Sequence, residues 1–370
     1  MTLSLTTRSG KGSPLTHGEV DQNWTDIQTE VNTVKSDLLG GFKNKIINGN
    51  FDFWQRANTA SGVASGYRSA DRWRSSVALD TIDVSRQSFT LGQTDVPNNP
   101  VYFMRHTVTT SSLSNSVSVI SQRIENVSTF SNSTCILSFW AKADASKNIA
   151  VEFSQSFGTG GSPSSDVFSI AVTTLSLGTS WKKFTVTANI PSISGKTLGT
   201  DLNSYLQLAF WFSAGSDFNS RINSLGTQSG VFDIAQVQLE KGSEATDFEV
   251  RPLQVELALC QRYYEKTYSL ETAPGTASTS SGRLGGRAVG TGTTGFLSTW
   301  YYKVTKRAGP TVTVYSPITG TAGKIRDEDG AADIDGQAIS GNQNSIIVAS
   351  AAATTNGNFY AAHATADAEL

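Results

Sequence analysis

Residues 51–74 combine aromatic rings with polar side chains of the kind that recognise sugars. Aromatic rings stack on the apolar C–H faces of a sugar, while neighbouring polar side chains hydrogen bond to its hydroxyls. Within this segment we expect Tyr67 and Arg56 to be the more exposed. The spacing predicts a glycan site built from Trp54, Arg56, Tyr67, Arg72 and Trp73.

A structural role for part of this segment is the alternative. Tryptophan is highly buried on average, so Trp54 and Trp73 would then be core anchors. In that interpretation Asp71 and Arg72 form an ion pair that ties down the entry of a strand. Exposure of the two indole rings decides between the two interpretations.

A second aromatic group lies near the C-terminus. Trp300, Tyr301 and Tyr302 follow one another in a predicted strand, so Trp300 and Tyr302 share one face and Tyr301 takes the other. One face is expected in the core, and the second at a subunit interface or a receptor surface. The residues predicted to face a receptor are Trp300, Tyr302, Tyr360 and His363.

Catalytic signatures are missing from the sequence. It contains no G-x-S-x-G, H-E-x-x-H or P-loop motif. The acidic residues mostly fall in predicted turns or helices, with no carboxylate pair set in an aromatic cleft motif. We therefore expect a protein that is not an enzyme, and a glycan hydrolase with two carboxylates stays the alternative.

The elements that must position these residues begin with a helix near the N-terminus. Thr16 and Glu19 fit a capping box, and Gly40-Gly41 supplies a stop. The helix carries apolar residues at gaps of 4, 3, 4, 3 and 4, with polar residues between them. This seam predicts a trimeric coiled coil, and an amphipathic helix packed on its own domain is the alternative. The seam residues are Val20, Trp24, Ile27, Val31, Val34 and Leu38.

The rest of the chain is predicted to be mainly β. Short runs with a period of two, separated by Ser, Gly, Asn and Pro clusters, favour a β-sandwich of the jelly-roll type. A second helix is predicted over 253–266, a loop-rich passage over 272–295, and further strands after it. The predicted domains are an attachment arm with coiled coil (1–42), a jelly roll (43–252), and a helix with a β-rich knob (253–370).

Composition narrows the partners. The 370 residues carry a formal net charge of −2 and no block of Lys and Arg, which argues against nucleic acid. No signal peptide is visible, and the most apolar stretch, 206–212, is too short to span a bilayer. Cys135 and Cys260 lie far apart without a C-x-x-C pair, so two buried free thiols are expected. We expect folding in a cytoplasm and no membrane insertion.

Several segments together resemble bacteriophage tail fibre proteins that contain a carbohydrate-binding-module-like jelly roll. The likeness is spread over most of the chain, and the order of the motifs is more specific than any one of them. The motifs lie at 12–24, 48–56, 66–73, 236–249, 260–266, 306–315 and 364–370, and include Asn-Gly-Asn-Phe-Asp-Phe-Trp-Gln-Arg, Gly-Tyr-Arg-Ser-Ala-Asp-Arg-Trp and Cys-Gln-Arg-Tyr-Tyr-Glu-Lys.

This resemblance implies a homotrimeric fibre whose N-terminal part attaches to the virion and whose C-terminal part points outward. The expected partners are a second and third copy of the chain, a tail or baseplate protein bound through residues 1–20, and a bacterial surface glycan. No cofactor is expected, except that Asp52 and Asp233 are candidate ligands of a structural calcium. The expected function is host attachment in the virion; a structural fibre component and a glycan-depolymerising enzyme are the alternatives.

Overall fold

A computed structural model describes residues 5–27, 41–279, 282–292 and 295–370. Contacts divide the chain into two compact units, 1–45 and 46–370. The domain boundaries suggested by the sequence at 42/43 and 252/253 stay predictions.

The first unit contains helices α1 (Arg8–Lys11) and α2 (17–27 of the described residues). The predicted capping box is confirmed, since the Thr16 amide donates to Glu19 Oε2 at 2.7 Å and the Glu19 amide donates to Thr16 Oγ1 at 3.3 Å. Val20 and Trp24 are 51% and 66% exposed. These two and Ile27 are seam positions on α2, whereas Val31, Val34 and Leu38 lie outside the described residues. The coiled coil and the trimer stay predictions.

The second unit begins with two antiparallel sheets. The six-stranded sheet has the order β1-β3-β4-β11-β6-β9, and the five-stranded sheet has the order β2-β5-β10-β7-β8. The strands are β1 Thr59–Ala60, β2 Arg74–Ala78, β3 Thr81–Ser88, β4 Tyr102–Thr109, β5 Val117–Glu125, β6 Ser133–Ala143, β7 Lys147–Ser156, β8 Val167–Leu177, β9 Lys182–Ile190, β10 Tyr205–Ala214 and β11 Gly230–Lys241.

Strands β4 to β11 are nested in their pairing. The first pairs with the last, β5 with β10, β6 with β9, and β7 with β8. This nesting over two sheets is the jelly-roll arrangement, so the predicted sandwich topology is confirmed. Alternate residues point inward and meet in one core, where Phe210 lies 4.9 Å from Phe139 between ring centroids.

A second β-rich region follows helix α3 (Leu253–Gln261), which starts directly after Pro252. Its strands form a sheet in the order β12-β19-β16-β17-β18-β14, and β13 and β15 also pair with β19. A backbone bond from Val289 to Gly295 links the segments after β13 and before β14, so the sheet curls back on itself. The strands are β12 Tyr264–Lys266, β13 Leu284–Arg287, β14 Leu297–Tyr301, β15 Thr311–Tyr315, β16 Lys324–Asp327, β17 Ala332–Ile339, β18 Ser345–Ser350 and β19 Phe359–Asp367.

The bounds predicted from the sequence were wrong for some of these elements. The helix predicted over 253–266 ends at Gln261, because Tyr264–Lys266 pairs with β19 instead. Strand β13 lies inside the segment that was predicted to be loop-rich. It was missed because its two glycines give no alternation of polar and apolar side chains. Strands β16 and β17 were likewise missed, because acidic turn residues dominate 327–335.

Candidate functional site

The segment 48–55 forms a compact turn around one asparagine. Asn48 has a φ of 57°, a conformation that asparagine tolerates better than most residues. Its side chain accepts from the Phe53 amide at 3.0 Å and donates to the carbonyls of Phe53 and Asp71 at 2.8 and 3.1 Å. The Trp73 indole in turn donates to the Asn48 carbonyl at 3.1 Å. These hydrogen bonds therefore hold the backbone of the turn that leads to Arg56 in one conformation.

Three residues of the predicted glycan site are buried. Trp54, Arg72 and Trp73 are 3%, 1% and 0% exposed, and both indole rings belong to the sandwich core. The core interpretation of the two tryptophans therefore describes their position, and neither ring offers a face to a ligand. These three buried residues therefore have a structural role beneath the predicted glycan site.

Asp71 and Arg72 do not form the ion pair of the core interpretation, because each contacts other residues. Asp71 accepts from the Gln55 amide at 3.0 Å and from its side chain at 2.6 Å, and burial raises the pKa of Asp71. Arg72 instead pairs with Glu369 and lies 3.4 Å above the centroid of the Tyr263 ring. Because Arg72 has a φ of 70°, its side chain leaves the strand entry in a direction that extended backbone would not give.

Arg56 and Tyr67 lie together; Tyr67 is partly exposed, whereas the Arg56 side chain is only 9% exposed. The Arg56 guanidinium stands 5.6 Å from the centroid of the Tyr67 ring and 3.7 Å from that of Tyr264. It also donates to Asp367 at 3.0 Å and to Glu369 at 3.3 Å. Burial alone would lower the pKa of Arg56, but Asp367 and Tyr264 raise it above its ordinary value. Arg56 thus stays a cation at the junction of the jelly roll and the C-terminal sheet.

The C-terminal sheet presents a polar face beside this pair. Strand β15 pairs with β19 so that Thr311 lies opposite Asp367 and Thr313 opposite Thr365. Directly opposed residues of an antiparallel pair point to the same side. The valines that alternate with these threonines, Val312 and Val314, pack in or against the second core. The face is therefore set by the alternation of the Thr-Val-Thr-Val-Tyr sequence.

Arg56, Tyr67 and the polar face of the C-terminal sheet enclose a groove of about 620 Å³, which we call the junction groove. Among the described residues, the side-chain hydroxyls of Thr311, Thr313 and Tyr315 make no hydrogen bond to protein, so they remain open to a ligand. The groove is lined by Arg56, Tyr67, Arg68, Tyr264, Pro274, Thr311, Thr313, Tyr315, Thr365, Asp367 and Glu369.

The groove combines the groups that sugar recognition needs. Tyr67 and Tyr315 supply aromatic rings, and the threonines supply hydroxyls that can both donate and accept. Arg68 supplies an exposed guanidinium. Lys266, just behind the groove, is not available, because its ammonium donates to three backbone carbonyls; burial lowers its pKa to about 8.

The predicted receptor-facing residues of the C-terminal part are turned inward. Trp300 and Tyr360 are 7% and 1% exposed, and the Tyr302 ring packs against Trp300 at 5.0 Å between centroids. His363 is fully buried and stacks on Tyr268 at 3.9 Å. The strand alternation was right, and Tyr301, on the opposite face, is 75% exposed. Trp300, Tyr360 and His363 are therefore closed to a receptor that docks on the outside, and Tyr302 is only partly exposed.

The two candidate calcium ligands are engaged by protein groups. Both oxygens of Asp233 accept from Arg105, at 2.8 and 2.9 Å. Asp52 accepts from the side-chain amide of Asn50, and burial raises the pKa of Asp52 to about 6. Within the described ranges, no group of three or more His, Cys, Asp or Glu is placed to share a metal ion. The calcium hypothesis therefore gains no further ligand from this part of the chain.

Sequence reasoning missed most of the C-terminal half of the groove. Thr311, Thr313 and Tyr315 carried a usable signal, since polar and apolar residues alternate there as on a half-buried strand. Asp367 and Glu369 carried none, because only folding places them next to Arg56.

Two smaller expectations can also be settled. Cys135 and Cys260 are both free and buried, as predicted, and burial raises the pKa of Cys135 to about 12. None of the described helices has both the length and the apolar character needed to cross a bilayer.

Fold and groove together define a mainly β protein in which a jelly roll and a second sheet share a polar, aromatic cleft. No protein-family model and no curated protein matches the chain. Among solved structures, it is similar to the enzymatically active domain of tailspike protein 4 from bacteriophage CBA120, with 12% identity and a TM-score of 0.32. That alignment covers 54% of this chain and 22% of the other.

Carbohydrate-binding modules are also among the similar structures. The family 11 module from Clostridium thermocellum, in complex with a mixed-linked tetrasaccharide, aligns at 12% identity and a TM-score of 0.29 over 51% of this chain and 99% of the module. A xylan-binding domain from Paenibacillus barcinonensis aligns at 17% identity and a TM-score of 0.27 over 46% of this chain and 92% of the domain. TM-scores of this size do not establish a shared fold, and the jelly-roll assignment rests on the strand pairing alone.

Proposed function

We propose that this chain is the adhesive protein of a bacteriophage tail fibre and that it binds a bacterial surface glycan in the junction groove. The observation that supports the proposal is the meeting of two tyrosine rings, open hydroxyls and a guanidinium in one cleft. Sugar sites need a ring to stack on and a few convergent polar groups that fix orientation. The junction groove offers both, and its residues come from both β regions of the second unit.

Binding, rather than hydrolysis, is the chemistry that the carboxylates of the groove favour. Hydrolysis requires two carboxyl groups that are free to donate a proton and to attack or activate water. Asp367 and Glu369 are instead held by Arg56 and Arg72. Because arginines engage both carboxylates, we propose a protein without enzymatic activity.

Multivalency would convert a weak contact into firm attachment. We propose a homotrimer joined along the seam from Val20 to Leu38, with residues 1–20 attached to the tail or baseplate. Once one groove is occupied, the others meet their glycans at a high effective concentration. The protein would work in the virion after synthesis in the host cytoplasm. Sedimentation equilibrium tests the trimer, and a monomer at micromolar concentration would remove the multivalent part of the proposal.

A glycan array probed with purified protein, followed by calorimetry on the best ligand, tests the binding proposal. Tyr67→Ala removes the stacking ring and should weaken binding about tenfold. Tyr301→Ala is the matched control, because that ring is 75% exposed and does not line the groove; it should leave affinity within about twofold. Thermal unfolding of both variants checks that the fold is retained. Equal effects of the two substitutions, or release of reducing sugar ends from a ligand, would contradict the proposal.

A further inference from the structure

The cations around Tyr67 are not all balanced by carboxylates. Arg56 and Arg72 pair with Asp367 and Glu369, which neutralises that side of the groove. Arg68, the residue after Tyr67, is exposed and forms no ion pair with any described residue. One positive charge at the rim of the groove is therefore free to meet a ligand.

A second unbalanced arginine lies across from Tyr67. Gly66 and Ser75 form an antiparallel bridge, with the Gly66 amide donating to the Ser75 carbonyl and the Ser75 amide to the Gly66 carbonyl, both at 2.9 Å. One step further along each strand, Tyr67 therefore lies opposite Arg74. Arg74 donates to the Ser76 hydroxyl and forms no ion pair among the described residues.

Arg123 adds to the positive character of this surface. It lies on β5 of the five-stranded sheet, stacks on Tyr205 at 4.4 Å and donates to the Leu370 backbone oxygen at 2.6 Å. The Nε atom of Arg123 is buried and has no hydrogen-bond partner within the described part of the chain. Burial, and then the charge of Arg123, lower the pKa of Arg74, as expected for like charges that lie close together.

We propose that the junction groove selects an acidic sugar, with Arg68 and Arg74 binding its anionic group and Tyr67 stacking on its ring. This inference rests on the proposed function and specifies the ligand class. A guanidinium binds carboxylate and phosphate through two parallel hydrogen bonds, which the neutral hydroxyls of a sugar cannot match in strength. A uronic acid and a phosphate-substituted sugar share this chemistry, and both carry the anion on a ring that can stack.

Matched pairs of glycans test the inference. The probes are tetragalacturonate against its fully methyl-esterified form, and a mannose-6-phosphate oligosaccharide against the same chain after phosphatase treatment, within an array that also carries unrelated neutral glycans. The acidic member of a pair should bind at least about tenfold more tightly, and the pair that responds identifies carboxylate or phosphate as the source. Because exposed charges are screened, binding should also weaken as salt is raised.

The variant Arg68→Gln/Arg74→Gln should lose the preference for the acidic member while keeping affinity for the neutral one. Lys241→Gln, which removes an exposed cation at the end of β11, is the matched control and should keep the preference. Thermal unfolding checks both variants. Equal binding of acidic and neutral members, or an unchanged preference in the double variant, would overturn the inference and leave the proposed function intact. Binding to no glycan at all would overturn both.

Discussion

Glu369 is the residue on which the C-terminal end of the groove depends. Its carboxylate pairs with Arg72, whose side chain is 1% exposed, and with Arg56, whose side chain is 9% exposed; the Glu369 side chain itself is 5% exposed. Removing one partner of a buried ion pair costs about 3–5 kcal/mol, because the remaining charge stays desolvated. Glu369→Gln keeps the shape and removes only the charge.

The expected loss lies at the lower end of that range. After the substitution Arg56 keeps Asp367, and Arg72 keeps its bond to the Arg123 carbonyl at 2.6 Å and the face of Tyr263. We therefore expect the free energy of unfolding to fall by about 3 kcal/mol. Equilibrium unfolding in urea at pH 7, followed by tryptophan fluorescence and extrapolated linearly to water, measures it.

Asp335→Asn is the matched control for this prediction. Asp335 pairs with Lys324 at 2.6 Å, but the two side chains are 64% and 36% exposed, so the loss should stay below about 1 kcal/mol. The double variant Arg72→Met/Glu369→Met removes both buried charges and should be more stable than Glu369→Gln. A Glu369→Gln protein no less stable than Asp335→Asn, or a double variant less stable than Glu369→Gln, would refute the reasoning.

Two further predictions concern the jelly roll. Burial lowers the pKa of His106 to about 3, so between pH 3 and 6.5 the unfolded chain binds a proton there that the folded chain does not, and stability falls as the pH falls. In His106→Phe, the slope of the free energy of unfolding against pH should decrease by up to about 1.4 kcal/mol per pH unit between pH 5 and 6. Urea unfolding across that range measures the slope. An unchanged slope would contradict a buried, neutral imidazole. Asn48→Ala should destabilise the fold by about 3 kcal/mol or more, because three hydrogen bonds are lost at a residue with positive φ. The control is Asn98→Ala, since Asn98 is exposed and also has a positive φ. A decrease in melting temperature no larger than that of the control would count against the structural role of the turn.

The β-sandwich was predictable because the sequence signals of its strands are local. Each strand from β4 to β11 shows alternation and is bounded by turn residues, and such runs leave few topologies other than a two-sheet fold. Helix α3 was predicted correctly at its start, where Pro252 is a local signal. Its end was misjudged, because Tyr264–Lys266 becomes a strand only through pairing with β19. No local sequence pattern in that segment indicates pairing with a strand about a hundred positions away.

The groove was only half predictable for the same reason. Arg56 and Tyr67 could be proposed from their neighbours, but the carboxylates that hold Arg56 and Arg72 lie 311 and 297 positions away in the chain. The aromatic residues at the C-terminus misled for a different reason. A ring that can stack on a sugar is also the best filler of a small core, and Trp300 and Tyr360 take the second role.

The same carboxylates link the stability of the second unit to its selectivity. Asp367 and Glu369 fasten β19 and the residues after it to the jelly roll, and in doing so they cancel the charges of Arg56 and Arg72. Among the described residues, no carboxylate balances the exposed Arg68 at the groove or Arg74, which lies opposite Tyr67. Because ion pairs within the protein balance two of the four arginines, the proposed anionic ligand would bind at the other two. The charge of the groove is therefore a consequence of how the chain closes on itself, and not of its composition, which is nearly neutral.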